Sequence, residues 1–269
     1  MDIIQSIILG AIQGVTEFIP VSSSGHLLVL RNLMGLGEIP VLFDILLHIP
    51  TLVVIIIVFR KKILELILSL FKLLSSFIKH EKSPVTAREN GRLILVLLIA
   101  TAATALIGSG IEKLQDYMSI APKVTGIFFI ITGIILIITK LMKGKKEYNQ
   151  IGIKEGIITG IAQGIGVLPG ISRSGITIAS SLFSGMKREN AGEYSFLIAV
   201  PAILGAPLLK LNEVESMNIA PHVLGIGLAM SFIAGLLSLI LLIRLVKKSR
   251  LYLFSIYLIP AGILTLIFV

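Results

Sequence analysis

Residues 10–25 read GAIQGVTEFIPVSSSG, and residues 160–175, 150 positions further on, read GIAQGIGVLPGISRSG. The two align without a gap. Gly10/Gly160, Gln13/Gln163, Gly14/Gly164, Ser22/Ser172, Ser24/Ser174 and Gly25/Gly175 are identical. That is six of sixteen positions, where this composition gives about one or two by chance. Gly35/Gly185 extends the match, as does Pro50/Pro201 one residue out of step. Each copy lies in the middle of an apolar stretch, residues 3–34 and 151–185, and interrupts it with Pro, Gly and Ser. Each half is shorter than the roughly 20 apolar residues a membrane-spanning helix needs. The expectation is a helix–loop–helix that enters the membrane and returns, twice. A single long kinked helix is the alternative for each stretch.

The rest of the chain supports a membrane class. Of 269 residues, 55% are hydrophobic and 14% charged, with mean hydropathy +0.98. An ordinary soluble domain carries about 25% charged residues. This composition excludes disorder, and the absence of cysteine excludes disulfide scaffolds, thiolate catalysis and thiolate metal sites. Six stretches reach spanning length: Val41–Phe59, Leu93–Ile111, Val124–Met142, Tyr194–Leu209, Val223–Leu245 and Leu251–Val269. The expected fold is an all-α polytopic membrane protein with six transmembrane helices plus two re-entrant pairs. Residues 1–142 and 151–269 form its two repeats, within one membrane domain. With three spans per half, the second repeat is inverted relative to the first. Transporters often use this plan, with sites at the repeat interface. The bland alternative is recurrence of small residues that help helices pack, which leaves the shared S-x-S-G unexplained.

The net charge of +9 is a topology signal rather than a nucleic-acid footprint. Loops 60–92, 140–154, 187–188 and 244–250 hold 19 of the 24 Lys and Arg. The opposite face holds Arg31, Lys113, Lys123 and Lys210, with Asp2, Glu38, Glu112, Asp116, Glu213 and Glu215. The basic face is expected to be cytoplasmic and both termini outside, in the plasma membrane. No basic n-region or clear cleavage site marks a secretory signal. In segment 63–79 the polar residues Glu65, Ser69, Lys72, Ser76 and Lys79 share one helical face. It is expected to lie on the cytoplasmic interface, with a seventh span as the alternative.

Ionisable residues at membrane depth cost about 2.5–3.5 kcal/mol each on insertion scales, so their presence asks for a reason. Gln13 and Glu17, four apart, share a helix face. Pro20 ends that helix, and Ser22, Ser23 and Ser24 offer caps for the next. His26 lies one turn further, on the side of Ser22. The second loop supplies Ser172, Arg173, Ser174 and Thr177 at another helix start. Two helix N-termini, several hydroxyls and one guanidinium suit a phosphate-like anion. Glu17 and His26 beside them suit acid–base work in phosphoryl transfer. The competing reading is a structural Glu17–Arg173 ion pair and a core histidine.

The segments QGVTEFIPVSSSGHL, LPGISRSGIT and EYSFLIAVP (193–201) resemble the undecaprenyl pyrophosphate phosphatase family, the bacitracin-resistance proteins of bacterial envelopes. The resemblance covers the whole chain in order. It implies a membrane hydrolase that removes the terminal phosphate of undecaprenyl diphosphate, recycling the carrier for cell-wall synthesis. It also implies a site open to the outer face and assistance by Mg²⁺ or Ca²⁺. The family's first motif has the form [E/Q]-x-x-x-E; this chain has Gln13 there, so Glu17 is the sole acid of that loop.

On this reading Glu17, His26, Arg173 and Ser23 are the catalytic candidates. Gln13, Ser22, Ser24, Ser172, Ser174 and Thr177 are the substrate-binding ones, and no metal ligand is assigned. The nucleophile is Ser23, a water or His26; His26 is alternatively the acid at the leaving phosphate. His48 and Asp44 are read as structural. Glu193 is a candidate to orient Arg173, or else a solvated helix end. The expected partners are the polyprenyl diphosphate and membrane lipid, not nucleic acid, with a homodimer left open. The competing class is a polyprenyl-phosphate flippase or secondary transporter.

Overall fold

The computed structural model describes residues 1–33, 41–80, 82–118, 122–209 and 219–269. Among these residues the regular structure is helical, apart from one isolated bridge between Lys146 and Met186. In chain order the helices are α1 (Ile3–Phe18), α2 (Ser23–Leu33), α3 (Val41–Val58), α4 (Arg60–Ile78), α5 (Val85–Met118) and α6 (Pro122–Ile138). They continue as α7 (Ile153–Ile165), α8 (Arg173–Phe183), α9 (Arg188–Leu209), α10 (Pro221–Lys247) and α11 (Ser255–Phe268). Of the residues singled out from sequence, Gly35, Glu38, Lys210, Glu213 and Glu215 lie outside the described residues, as do the side chains of Asp44 and Asp116.

Among the described residues four helices are long and apolar enough to cross a bilayer: Val85–Lys113 in α5, Lys123–Leu141 at α6, Pro221–Lys247 (α10) and Leu251–Phe268 at α11. α1 and the Ile45–Val58 part of α3 are shorter apolar helices. Both interrupted stretches are pairs of separate helices rather than single kinked ones. α1 starts on a capping box, with Gln5 N–H donating to Asp2 and Asp2 N–H donating to the Gln5 side chain. It stops at Ile19, whose extended ψ of 131° is what the following Pro20 imposes. α8 starts at Ser172, whose hydroxyl accepts the Gly175 N–H at 3.1 Å.

The glycines common to both stretches have equivalent work. α1 packs on α10, where a Cβ on Gly10 would sit 2.2 Å from the Gly227 carbonyl oxygen. α7 packs on α5, where a Cβ on Gly160 would sit 2.4 Å from the Ala100 carbonyl oxygen. Only a residue without a side chain lets these backbones touch. α6 packs on α11 through Gly126 and Gly262, each of which faces the other's carbonyl.

α4 differs from expectation in the direction of its polar face. Ser69 and Ser76 are buried, and Asn90 of α5 donates to Glu65 and to Ser69, both at 2.9 Å. Leu64, Phe71 and Phe77 point outward. The reason is the length of α5. Its 34 residues extend about 51 Å at 1.5 Å per residue, well past a 30 Å hydrocarbon layer. The surplus first turns give Glu65 and Ser69 of the polar stripe a protein partner, while Lys72 and Lys79 of the same stripe stay exposed.

Candidate active site

The loops between α1 and α2 and between α7 and α8 touch. Ser22 Oγ accepts the Gly170 N–H at 3.0 Å, and Ser174 Oγ donates to the Phe18 carbonyl at 3.1 Å. Ser22 adopts φ +74°, a left-handed conformation costly for a residue with a Cβ. That turn aims its hydroxyl at Gly170 and at Gly25 N–H, and its carbonyl at His26. Gly170, itself at φ +99°, could carry no Cβ, which would lie 2.5 Å from the Thr125 carbonyl oxygen.

Across this contact Arg173 forms an ion pair with Glu17. The other carboxylate oxygen of Glu17 accepts from Ser23 Oγ at 2.8 Å and from Gln13 Nε2 at 3.2 Å. The Glu17 side chain is only 3% exposed, and Arg173 is 25% exposed. Under it, Phe18 stands edge-on to Phe196, which stacks on Phe59 at a centroid distance of 5.8 Å.

His48 joins this cluster, with Nε2 3.7 Å from Glu17 Oε2. Read from sequence it is structural; α3 packing across α1 brings it to the carboxylate. The signal that the sequence does carry is an imidazole inside an apolar run, ILLHIP at 45–50.

His26 faces the other way. Its Nδ1 lies 2.8 Å from the Ser22 carbonyl oxygen and its Nε2 2.7 Å from Tyr257 Oη. The carbonyl can only accept, so Nδ1 donates to it, and the bond between Nε2 and the phenol has nitrogen as acceptor in the neutral ring and as donor in the imidazolium. The imidazole also packs against the rings of Phe129 and Tyr257. It stands at the polar end of an apolar groove of about 580 Å³ lined by Leu30, Phe129, Tyr257, Pro260, Leu264 and Phe268, among others. So Glu17, Ser23, Arg173, Gln13 and His48 gather on one side of the first turn of α2, and His26 with Tyr257 on another.

The remaining hydroxyls have partners of their own. Ser172 caps α8 and contacts Ser174 Oγ at 3.2 Å, Ser174 holds the Phe18 carbonyl, and Thr177 donates back to the Arg173 carbonyl at 2.7 Å. Ser24 is exposed. Glu193 does not orient Arg173: its carboxylate accepts from Tyr148 Oη at 3.0 Å.

Among the described residues no three His, Asp or Glu side chains converge as ion ligands. The single carboxylate of the cluster is already engaged by Arg173, Ser23 and Gln13. These residues do not fit a resident Mg²⁺ or Ca²⁺, which needs several oxygen donors.

An acid–hydroxyl pair beside a guanidinium, at the start of two helices, can bind a phosphoryl group and move a proton to or from an attacking oxygen. Relatives carry matching chemistry in their names. The chain is 42% identical over 266 residues to an undecaprenyl-diphosphatase of Treponema denticola, covering 98% of this chain and 96% of the relative. It is 40% identical over 260 residues to one of Borrelia recurrentis (96% of each). It is 36% identical over 263 residues to one of Korarchaeum cryptofilum (98% of each). The family model described as bacitracin resistance protein BacA matches residues 6–264, so this chain belongs to that family.

Proposed function

We propose that the protein is an undecaprenyl-diphosphate phosphatase of the plasma membrane, which recycles the lipid carrier of cell-wall synthesis and so confers bacitracin resistance. The observation that carries the reading is the Ser23–Glu17–Arg173 cluster, with Ser23 Oγ 2.8 Å from the Glu17 carboxylate and Arg173 on its other oxygen. Arg173 and the first-turn N–H groups of α2 and α8 receive the terminal phosphate. Ser23 Oγ attacks that phosphorus and passes its proton to Glu17. The P–O bond to the bridging oxygen breaks, and its electron pair leaves on undecaprenyl phosphate. Water then cleaves the phosphoserine and frees inorganic phosphate. His26, at the boundary of groove and cluster, stands at the bridging oxygen as the acid, while the hydrocarbon chain lies in the apolar groove. Ser22, Ser172, Ser174 and Thr177 frame the two loops; Gln13 fixes Glu17, and Ser24 meets the diphosphate from the exposed side. His48 exchanges protons with Glu17.

We read α3, α5, α6, α9, α10 and α11 as six spans and the pairs α1–α2 and α7–α8 as re-entrant. Residues 1–142 and 151–269 are then inverted repeats. The mirrored packing of α1 on α10 and α7 on α5, with Gly126 and Gly262 reciprocal between α6 and α11, supports that plan. The basic loops are cytoplasmic, the termini outside, and the site opens outward. The repeats are unequal where it matters: Glu17 aligns with Val167 and Ser23 with Arg173, so one site forms rather than two.

The test is phosphate release from polyprenyl diphosphate in detergent, coupled to acid quench with substrate labelled in its terminal phosphate. Label on Ser23 that chases to phosphate on adding unlabelled substrate is the expected result. Turnover by Ser23→Ala at the wild-type rate would exclude the serine. Hydrolysis without a sealed membrane separates the enzyme from a transporter.

A further inference from the structure

The groove and His26 meet in one aromatic side chain of α11. Tyr257 lines the apolar groove together with Ile256, Pro260, Ala261 and Leu264 of that helix, and its hydroxyl is the partner of His26 Nε2 at 2.7 Å. Its ring stacks on the imidazole at a centroid distance of 5.6 Å and an interplanar angle of 20°, yet Tyr257 remains 52% exposed to the groove side. Because Nδ1 is committed to the Ser22 carbonyl, Nε2 is the ring nitrogen left to act as the acid, and in the imidazolium it donates to the Tyr257 hydroxyl. While that bond stands, the nitrogen that faces substrate is occupied.

The turn carrying Tyr257 is also the weakest of its helix. Pro260 lies inside α11 and has no N–H to give to the Ile256 carbonyl four residues back. A short 3₁₀ segment, Leu251–Phe254, precedes the helix, so the first turn of α11 is joined to the remainder by fewer hydrogen bonds than a regular helix has.

Resting on the phosphatase reading above, we infer that Tyr257 is a positioning and specificity residue that makes hydrolysis depend on the hydrocarbon chain. A long prenyl chain filling the groove contacts the Tyr257 ring, draws the phenol off Nε2 and frees His26 to engage the bridging oxygen. A diphosphate whose chain is too short to fill the groove leaves the Tyr257–His26 bond in place. The selected substrate class is therefore long-chain prenyl diphosphates, with short prenyl diphosphates and inorganic pyrophosphate discriminated against by an occupied imidazole as well as by lost apolar contact.

Two measurements test this. The first compares kcat/KM for a long polyprenyl diphosphate and for geranyl diphosphate, in wild type and in Tyr257→Phe. The ring stays and only the hydroxyl is lost, so the long-to-short ratio is expected to fall about tenfold, the size of one neutral hydrogen bond. A ratio equal to that of wild type overturns the inference. The second uses wild-type protein labelled with ¹⁵N-histidine, the His26 signals being assigned against His26→Asn. Polyprenol, which carries the chain without phosphate, is expected to move the Nε2 resonance away from its hydrogen-bonded position, and geraniol is not. An Nε2 signal unchanged by polyprenol overturns the inference even if Tyr257→Phe fails to fold. Wild type that releases no phosphate from polyprenyl diphosphate would sink the phosphatase reading alone, since the resonance arm requires no turnover.

Discussion

Glu17 and Arg173 are 156 residues apart in the chain and form one ion pair, which joins the last turn of α1 to the first turn of α8. On the proposed mechanism Arg173 serves two partners in turn, the carboxylate at rest and the phosphate during turnover. Removing either member leaves the other charge poorly solvated, so stability and activity separate in a double variant.

Glu17→Gln and Arg173→Met are each expected to lower stability by about 3–5 kcal/mol, the range for breaking a buried pair from one side. The double variant should recover much of that loss and stay inactive. Thermal unfolding in detergent and phosphate release, measured on the same preparations, check both statements. A double variant as unstable as the sum of the singles would mean the pair is not coupled.

His48, 3.7 Å from Glu17, predicts a smaller kinetic effect than Glu17 itself. General acid–base groups contribute roughly 10²–10⁴-fold, and a group acting through Glu17 falls below that range. His48→Ala is expected to lower kcat about tenfold with little change in KM. Unaltered kcat in a folded His48→Ala protein would return this histidine to a packing role.

The helix contacts predict a sharp contrast between glycines. Gly10→Ala and Gly160→Ala place a Cβ 2.2 Å and 2.4 Å from a carbonyl oxygen of the facing helix. Overpacking of this kind costs about 1–3 kcal/mol. Gly225, also helical, has nothing within 4 Å of the position a Cβ would take, and Gly225→Ala should be neutral or stabilising by up to about 1 kcal/mol. Equal melting shifts in all three would contradict the close approach of α1 to α10 and α7 to α5.

A pH dependence follows from the loop that ties α6 to α7. Glu147 accepts from Lys187 and from Asn190, which hold its carboxyl below the usual carboxylate range. The same contact raises Lys187 above the usual lysine range. The depressed carboxyl stabilises the clasp above its unfolded titration, and that contribution disappears as pH falls through the lowered value. The raised amine contributes below its unfolded titration, and that contribution disappears as pH rises through the raised value. The clasp is therefore intact at neutral pH and opens at both extremes. The melting difference between wild type and Glu147→Gln should vanish on acidification below the carboxylate range; a difference that persists there would rule out this contact as its source.

Local rules in the chain already specify the interrupted helices. Pro20 bars its neighbour from helical torsions, and the following serines supply caps, so the breaks at residues 18–23 and 166–172 are readable in one dimension. Their meeting is readable from the repeat, and with it the pairing of Glu17 and Arg173. The direction of a side chain around a helix axis is not. His26 lies on the expected side of α2, but the left-handed turn at Ser22 aims that side at Tyr257, which is 231 residues away. The polar stripe of α4 is legible, whereas its partner Asn90 depends on how far α5 extends.

Composition, helix breaks and repeat were thus determined by the sequence itself, because each depends on residues within a turn or two or on counting along the chain. Tertiary packing decided which polar groups share a space: His48 with Glu17, Tyr257 with His26, and Ser174 with the Phe18 carbonyl. Those pairings depend on rotations and approach distances between helices, which small residues such as Gly10, Gly126 and Gly160 permit and no single stretch encodes.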